Sequence, residues 1–202
     1  MRPNLAQDAP PTSITIGGRD YDCNVDFLVW IDVLRLLRGI ETPLETPQQL
    51  GAALGTLLAA EQLVFNRPLC GEDPAEVLEA MAEFARGYPC APVQSDGDAA
   101  AFSFDCDLNE ILIAIRNQSG IDLSYRRRTP FHWWEFLLEF RTLSGDHYIL
   151  NLMQARSYRG SDRDLMRRRR MCALPPEYSA AERAEMDAFE ALFTGGSDEN
   201  QD

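Results

Sequence analysis

The chain has 202 residues, of which 45% are hydrophobic and 25% are charged, a balance typical of a globular protein with a buried core. Its net charge is -13 at pH 7, and all 19 of its basic residues are arginine. Such overall acidity disfavours general binding to nucleic acids or to anionic membranes. No stretch approaches the roughly 20 apolar residues of a membrane-spanning helix, so the sequence predicts no membrane contact.

The charge is unevenly distributed along the chain. Residues 1–101 carry 6 arginines and 15 acidic residues, residues 102–175 carry 12 and 9, and residues 176–202 carry 1 and 8. The basic middle can therefore be neutralised by the acidic ends of the same molecule. The 5 cysteines are widely spaced, and the N-terminal residues lack the apolar core of a secretion signal. We expect reduced thiols and a cytoplasmic location.

The first predicted element is a short β-hairpin. Ile14 and Ile16 alternate with polar residues, as do Tyr21 and Cys23, and Gly17-Gly18 lies between the two runs. A Gly-Gly pair supplies the positive φ angles of a tight hairpin turn. No other strand signal is convincing. The predicted fold class is therefore mainly α, with helical bundle-like lobes after a short N-terminal β-hairpin.

Three helices are predicted to follow the hairpin, and together they form an N-terminal lobe at residues 1–90. The first covers residues 25–38, with Asn24 as its N-cap. The second begins at residues 46–49 (TPQQ) and the third at residues 73–76 (DPAE), where a capping residue, a proline and a third-position Gln or Glu occur together. Four leucines of the second helix are assigned to one face: Leu50, Leu54, Leu57 and Leu58.

A second helical lobe is predicted at residues 102–194. Residues 91–101 are rich in Pro, Gly, Ser and Asp and are predicted to be a linker or long loop. The acidic pair Asp105 and Asp107 is interpreted as helix-start chemistry. Further helices are predicted to begin at residues 107–110 (DLNE), Thr129-Pro130, Gly145-Asp146, residues 161–164 (SDRD) and residues 179–182 (SAAE). Residues 195–202 are predicted to be a disordered acidic tail.

The stretch TPFHWWEFLLEF, residues 129–140, is the most apolar candidate site. Trp133, Phe136 and Phe140 share a helical face, and Trp134 lies on the adjoining strip. A core helix is the default interpretation, while a partner groove and a catalytic pocket remain as alternatives. As candidate partner-binding residues we retain Trp133, Trp134 and Phe136.

Two further groups are candidates for partner contact. The arginine run comprises Arg167, Arg168, Arg169 and Arg170, and on a helix these side chains fan out through about 300°, so they cannot share one groove. Counter-charge for acidic regions of this chain or of a partner is the default role, with nucleic-acid contact as the alternative. The second group, Met186, Phe189 and Phe193, lies on one side of the helix predicted for residues 179–193, which we interpret as a separate docking arm.

No catalytic or cofactor-binding pattern is present. GxGxxG, GxxxxGK[ST] and GxSxG are all missing, and a Walker A motif requires a lysine. His132 and His147 are fifteen residues apart, with no cysteine at ligand spacing, so they do not indicate a metal site. The sequence therefore predicts no enzyme activity, no metal and no cofactor.

Five segments then occur in a recognisable order: IGGRDYDCNVDF, DPAEVLEAMAEFARGY, FSFDCDLNEILIAIRNQSGIDL, HWWEFLLEF and ILNLMQARSYRGSDRDLMRRRRMCALP. In this order the chain resembles the bacteriophage tail assembly chaperone family known as the gp-fifteen family. The resemblance covers roughly residues 13–176, and SGIDL and HWWEF are its most specific parts. The chain departs from lysine-rich members of that family in having no lysine and a longer acidic end.

The resemblance implies a non-enzymatic phage or prophage protein that binds the tape measure protein and keeps it soluble during tail tube assembly. The tail tube protein and a second copy of the chain are further candidate partners. The expected location is the cytoplasm of the bacterial host, with no incorporation into the mature virion. Two alternatives are a minor structural component of the phage tail and a nucleic-acid-binding module that uses the arginine runs.

Overall fold

The computed structural model describes residues 9–40, 46–88, 101–124 and 130–175. Within these ranges the chain forms an N-terminal hairpin followed by helices, which confirms the predicted fold class. The elements are β1 Ser13–Ile16, β2 Arg19–Asp22, α1 Phe27–Arg38, α2 Pro47–Phe65, α3 Pro74–Arg86, α4 Phe104–Ser119, α5 Trp133–Arg141, α6 Tyr148–Ser157 and α7 Arg163–Met171. None of the described helices combines the length and the apolar character that crossing a membrane requires.

The hairpin forms as the alternating pattern predicts. Ile14 pairs with Tyr21 in an antiparallel register, and Gly17 and Gly18 form the turn with φ angles of 55° and 79°. Ile14 and Ile16 are buried on the face that meets α3. The hairpin therefore covers part of the helical core.

The capping sequences of α2 and α3 act as predicted. Thr46 accepts a hydrogen bond from the backbone N–H of Gln49 at 3.2 Å, and the Gln49 side chain accepts from the backbone N–H of Thr46 at 2.9 Å. Asp73 caps α3 by accepting from the N–H of Ala75 at 2.9 Å. These caps could be predicted from the sequence because each capping residue satisfies an N–H group that the helix itself leaves unpaired.

Several helix starts differ from the predicted ones. α1 is capped by Asp26, whose carboxylate accepts from the N–H of Leu28, whereas Asn24 accepts from the N–H of Asp26 and shapes the preceding turn. α4 begins at Phe104 rather than at residue 107, with Ser103 as its cap. The remaining differences are similar: α5 begins at Trp133 with His132 as its cap, and α6 begins at Tyr148.

One hydrophobic cluster runs through the described residues. Its fully buried members come from both predicted lobes and include Trp30, Met81, Ile111, Phe136 and Ile149. Residues 1–90 and 102–194 thus share a core wherever the structure describes them. Residues 91–100 of the predicted linker, the predicted helix at residues 179–193 and the predicted tail at residues 195–202 lie outside the described residues.

The N-terminal end of α2 extends beyond α1. The N–H of Asn24, just before α1, donates to the carbonyl of Val64 at 2.7 Å, so α2 runs back alongside α1 in the opposite direction. At 1.5 Å per residue, the 19 residues of α2 span about 28 Å and the 12 residues of α1 about 18 Å. The first turns of α2 therefore extend past the end of α1, and all buried residues of α2 lie between Leu57 and Phe65.

Candidate partner-binding surfaces

The adjacent tryptophans of α5 cap the C-terminal end of α3. The indole N–H of Trp133 donates to the carbonyl of Ala85 at 2.9 Å, and that of Trp134 donates to the carbonyl of Phe84 at 2.9 Å. Arg141 donates to a third carbonyl of the same turn at 2.6 Å. The last carbonyls of an α-helix have no partner inside the helix, so the contacts to Ala85 and Arg86 satisfy groups that would otherwise be unpaired, while the carbonyl of Phe84 also accepts from the N–H of Gly87 at 3.1 Å. The tryptophan pair thereby joins the two halves of the chain.

Two of the candidate aromatic residues lie inside the protein. Trp133 is 1% exposed and Phe136 is 0% exposed, and Phe136 stacks on Phe27 with ring centroids 4.7 Å apart. A direct contact with a partner would require both side chains to leave the core, so the structure places them in the default role of core residues. Trp134 is half-buried and packs edge-on against Tyr88 at 4.9 Å. A partner contact by Trp134 stays a prediction.

His132 occupies the N-cap of α5 rather than the first turn in which the sequence placed it. Its Nδ1 accepts a hydrogen bond from the N–H of Trp134 at 3.0 Å, and its Nε2 lies 2.9 Å from the carbonyl oxygen of Pro11. Only the neutral ring with a proton on Nε2 makes both contacts. Burial lowers the pKa of His132, and the hydrogen bond to Pro11 opposes this shift in part. His132 is thus a structural cap that ties the N-terminal segment to α5.

A buried ion pair joins α4 to α6, and the sequence analysis missed it. Asp107 is 2% exposed and Arg156 is 8% exposed; both guanidinium Nη atoms donate to the carboxylate, at 2.6 Å and 3.0 Å. Asp107 also accepts from the N–H of Ser103 at 2.9 Å, so it serves the helix start as predicted. The hydrogen bond to Asp107 raises the pKa of Arg156. The only sequence signal for this ion pair was that Asp107 lies on an otherwise apolar face of α4.

The same arginine positions α7. Nε of Arg156 donates to the carbonyl of Cys172, the C-cap of α7, at 2.7 Å. At the other end of α7, the N–H of Asp162 donates to the hydroxyl of Tyr158 at 3.0 Å. No residue of α7 is buried, so the helix lies on the surface and is held at both ends.

The arginine run projects from this surface helix. Arg167, Arg168 and Arg170 are exposed and Arg169 is half-buried. Within residues 9–40, 46–88, 101–124 and 130–175, none of the four has an acidic side chain at ion-pair distance. Their predicted role as counter-charge therefore stays a prediction, and it points to residues outside these ranges or to another molecule. The third candidate group, Met186, Phe189 and Phe193, lies outside the described residues.

The first half of α2 presents an apolar surface that the sequence analysis did not identify. Leu50, Leu54 and Leu58 are spaced four residues apart and are 49%, 39% and 49% exposed. We call these three residues the leucine ridge. Of the four leucines assigned to one face, only Leu57 is buried. Residues 46–60 contain no charged residue, so the ridge is uncharged as well as exposed.

A row of small residues runs beside the leucine ridge: Gly51, Gly55 and Ala59, which we call the small-residue groove. All three are exposed, and a Cβ atom built on either glycine would meet nothing within 4 Å. Glycine inside a helix costs about 1 kcal/mol relative to alanine. Nothing in the described part of the chain requires that cost at these two positions. The groove does allow a second helix to approach the backbone of α2 closely.

Two further features of the described residues concern metal binding and thiol chemistry. They contain no group of three or more His, Cys, Asp or Glu side chains arranged to hold a metal ion. The described cysteines are all free thiols, and burial raises the pKa of Cys23 to about 12. A thiol with such a pKa is not a nucleophile near neutral pH.

Comparison with known proteins gives one match. Residues 6–179 match the family described as Bacteriophage Gp15 protein. The matched range contains every described element, from β1 to α7, so it includes both the leucine ridge and the arginine run. No curated protein and no solved structure matches the chain.

Proposed function

Because the chain belongs to the bacteriophage Gp15 protein family, we propose that it is a tail assembly chaperone of a phage or prophage. In this role it binds the tape measure protein and keeps it soluble until tail tube proteins surround it. The observation that carries the proposal is the exposed, uncharged leucine ridge on a chain with a net charge of -13. The apolar surface binds a client helix, and the remaining acidic surface keeps the complex in solution by repulsion.

The size of the ridge suits a client that must be released. Covering a fully exposed leucine contributes about 1.5–3 kcal/mol, and the ridge leucines are already about half covered. Three of them therefore contribute only a few kcal/mol in total, before the loss of translational and rotational freedom on binding is subtracted. Such a surface supports reversible helix-in-groove binding, which allows the tube proteins to displace the chaperone.

Co-expression with the tape measure protein tests the proposal. Wild-type chain is expected to increase the soluble fraction of the tape measure protein and to co-purify with it. Leu54→Arg places a charge at the centre of the ridge and is expected to abolish both effects. Ile113→Arg, at a residue on α4 that is 49% exposed, is the matched control and should behave like the wild type.

Two outcomes would count against these assignments. A tape measure protein that stays insoluble with the wild-type chain would contradict the chaperone role. A Leu54→Arg variant as effective as the wild type would remove the ridge from that role. Mass spectrometry of purified virions separates the chaperone from a minor structural component of the tail, since a chaperone is absent from finished particles.

The exposed arginines of α7 support a second candidate, contact with nucleic acid. The overall charge of -13 opposes it, and the four side chains point in different directions around the helix. Retention on DNA that falls steeply with salt, and that is lost when Arg167, Arg168, Arg169 and Arg170 are all replaced by alanine, would support this role. Equal retention of the wild type and this variant at low salt would exclude it.

A further inference from the structure

The leucine ridge and the small-residue groove of α2 are complementary in shape to each other. Each ridge leucine is followed directly by a small residue, in the pairs Leu50-Gly51, Leu54-Gly55 and Leu58-Ala59. Rows of side chains spaced four residues apart are the ridges that interlock when two helices cross at about -50°. The ridge of one α2 helix therefore fits the groove of another α2 helix, and the reverse contact forms at the same time.

From this complementarity we propose that a second copy of the chain covers the leucine ridge in the free protein. The two copies would be related by a two-fold axis beside Leu54 and Gly55, so that the same patch on each copy forms the contact. Leu50 of one copy would then lie near Ala59 of the other. The open space above Gly51 and Gly55 is the volume that the partner's leucines would fill.

The distribution of charge favours contact between two copies at the leucine ridge. It also favours an antiparallel crossing of the two α2 helices. Two chains that each carry a net charge of -13 repel each other, and residues 46–60 are an uncharged stretch where they can approach. The folded body of each copy is attached to the C-terminal half of α2, where the buried residues begin at Leu57. An antiparallel crossing keeps the two acidic bodies at opposite ends of the contact, whereas a parallel one brings them together.

The contact is small, so the dimer is weak. Stable interfaces bury roughly 1,600 Å² in total, and three half-exposed leucines with their neighbours supply well below that area. We therefore expect a dissociation constant for the dimer in the micromolar to millimolar range. The dimer uses the leucine ridge, which is also the surface that we propose binds the client. In that respect the inference rests on the proposed function. Dimer and client complex then exclude each other, and the dimer shields the ridge until a client is present.

Sedimentation equilibrium of the purified full-length chain tests the dimer. Over about a hundredfold range of concentration, the wild type is expected to shift from monomer towards dimer. Gly55→Leu fills the groove without adding charge, and its Cβ meets no neighbour within 4 Å in its own chain, so the variant should stay folded and monomeric. Leu54→Arg should also stay monomeric. Gln154→Leu, which adds a leucine at an exposed position on α6, is the control and should associate like the wild type.

The outcomes separate the dimer from the chaperone role. A wild-type chain that is monomeric at every concentration, or a Gly55→Leu variant that associates as strongly as the wild type, would overturn the dimer. If the monomeric wild type still solubilises the tape measure protein, the dimer fails while the chaperone role stands. If the wild type dimerises through α2 but never solubilises the tape measure protein, the proposed function fails and the dimer stands.

Discussion

The start of α5 and the first half of α2 have similar apolar patterns but opposite surroundings. In α5, Trp133 and Phe136 are covered by α1, α3 and α4, and the indole N–H of Trp133 reaches a carbonyl of α3. In α2, by contrast, Leu50 and Leu54 remain exposed. The difference shows that an apolar stripe predicts a need for cover, while the placement of the neighbouring helices decides whether the chain itself supplies that cover.

Trp133→Ala tests the covered side of this comparison and has the largest expected effect. Removing a fully buried tryptophan should lower the free energy of unfolding by about 3–5 kcal/mol, because it leaves a cavity and unpairs the carbonyl of Ala85. Urea denaturation followed by circular dichroism measures the change. Leu54→Ala, at an exposed position of α2, is the reference and should lower the free energy of unfolding by about 1 kcal/mol or less. Equal losses in the two variants would contradict the comparison.

Arg156→Met should be nearly as damaging. It leaves the carboxylate of Asp107 buried without its partner, and breaking a buried pair in this way typically costs about 3–5 kcal/mol. Thermal unfolding by calorimetry measures the loss. The double variant Asp107→Leu/Arg156→Met removes both charges and should recover part of the stability. A double variant less stable than the single one would show that the pair is not the source of the effect.

His132 gives the covered region a dependence on pH. Its pKa is lowered in the folded chain, so folding favours the neutral ring. Its contribution to stability is therefore complete above the unfolded pKa of about 6.5 and is lost as the pH falls through the lower folded value. Melting temperatures measured between about pH 7.5 and 5.5 should fall for the wild type. His132→Asn keeps an acceptor for the N–H of Trp134 and should flatten that fall; an unchanged slope would contradict this role.

Two glycines provide the smallest and most selective test. Gly55→Ala should stabilise the chain by about 0.5–1 kcal/mol, because alanine favours the helix and its Cβ meets nothing within 4 Å. Gly87→Ala should destabilise the chain, because Gly87 has a φ of 73° and the added Cβ would lie 2.7 Å from a methyl carbon of Leu137. Thermal melts of both variants at a concentration where the chain is monomeric measure the difference. A destabilised Gly55→Ala monomer would mean that this stretch of α2 is covered by its own chain.

Features that depend on residues close in the sequence were the ones that could be predicted. The Gly17-Gly18 turn and the Thr46–Gln49 capping box each follow from local geometry and were found at their predicted positions. The N-cap of α1 was assigned to the wrong residue because Asn24 and Asp26 are both good caps, and only the completed turn shows that Asp26 receives the N–H of Leu28.

Features that join distant residues could not be predicted. Asp107 and Arg156 are 49 positions apart, and no local pattern pairs them. The contact of Trp133 with Ala85 likewise depends on how α5 lies across α3. Exposure of the leucine ridge depends on where the other helices lie against α2, and the hydrogen bond that sets the direction of α2 joins Asn24 and Val64, 40 positions apart. The candidate site was therefore placed on the aromatic helix, whereas the exposed, uncharged leucine ridge lies on α2.

The hydrogen bond from Arg156 to the carbonyl of Cys172 has a consequence for the acidic end of the chain. Because this carbonyl is anchored to the α4–α6 ion pair, Cys172 has a fixed place on the described body. Any molecule that residues 176–202 bind has an effective concentration over α6 and α7 that depends on how many residues separate its binding site from Cys172. Inserting glycine and serine residues just after Pro175 would therefore change that effective concentration while leaving every contact of the folded body in place.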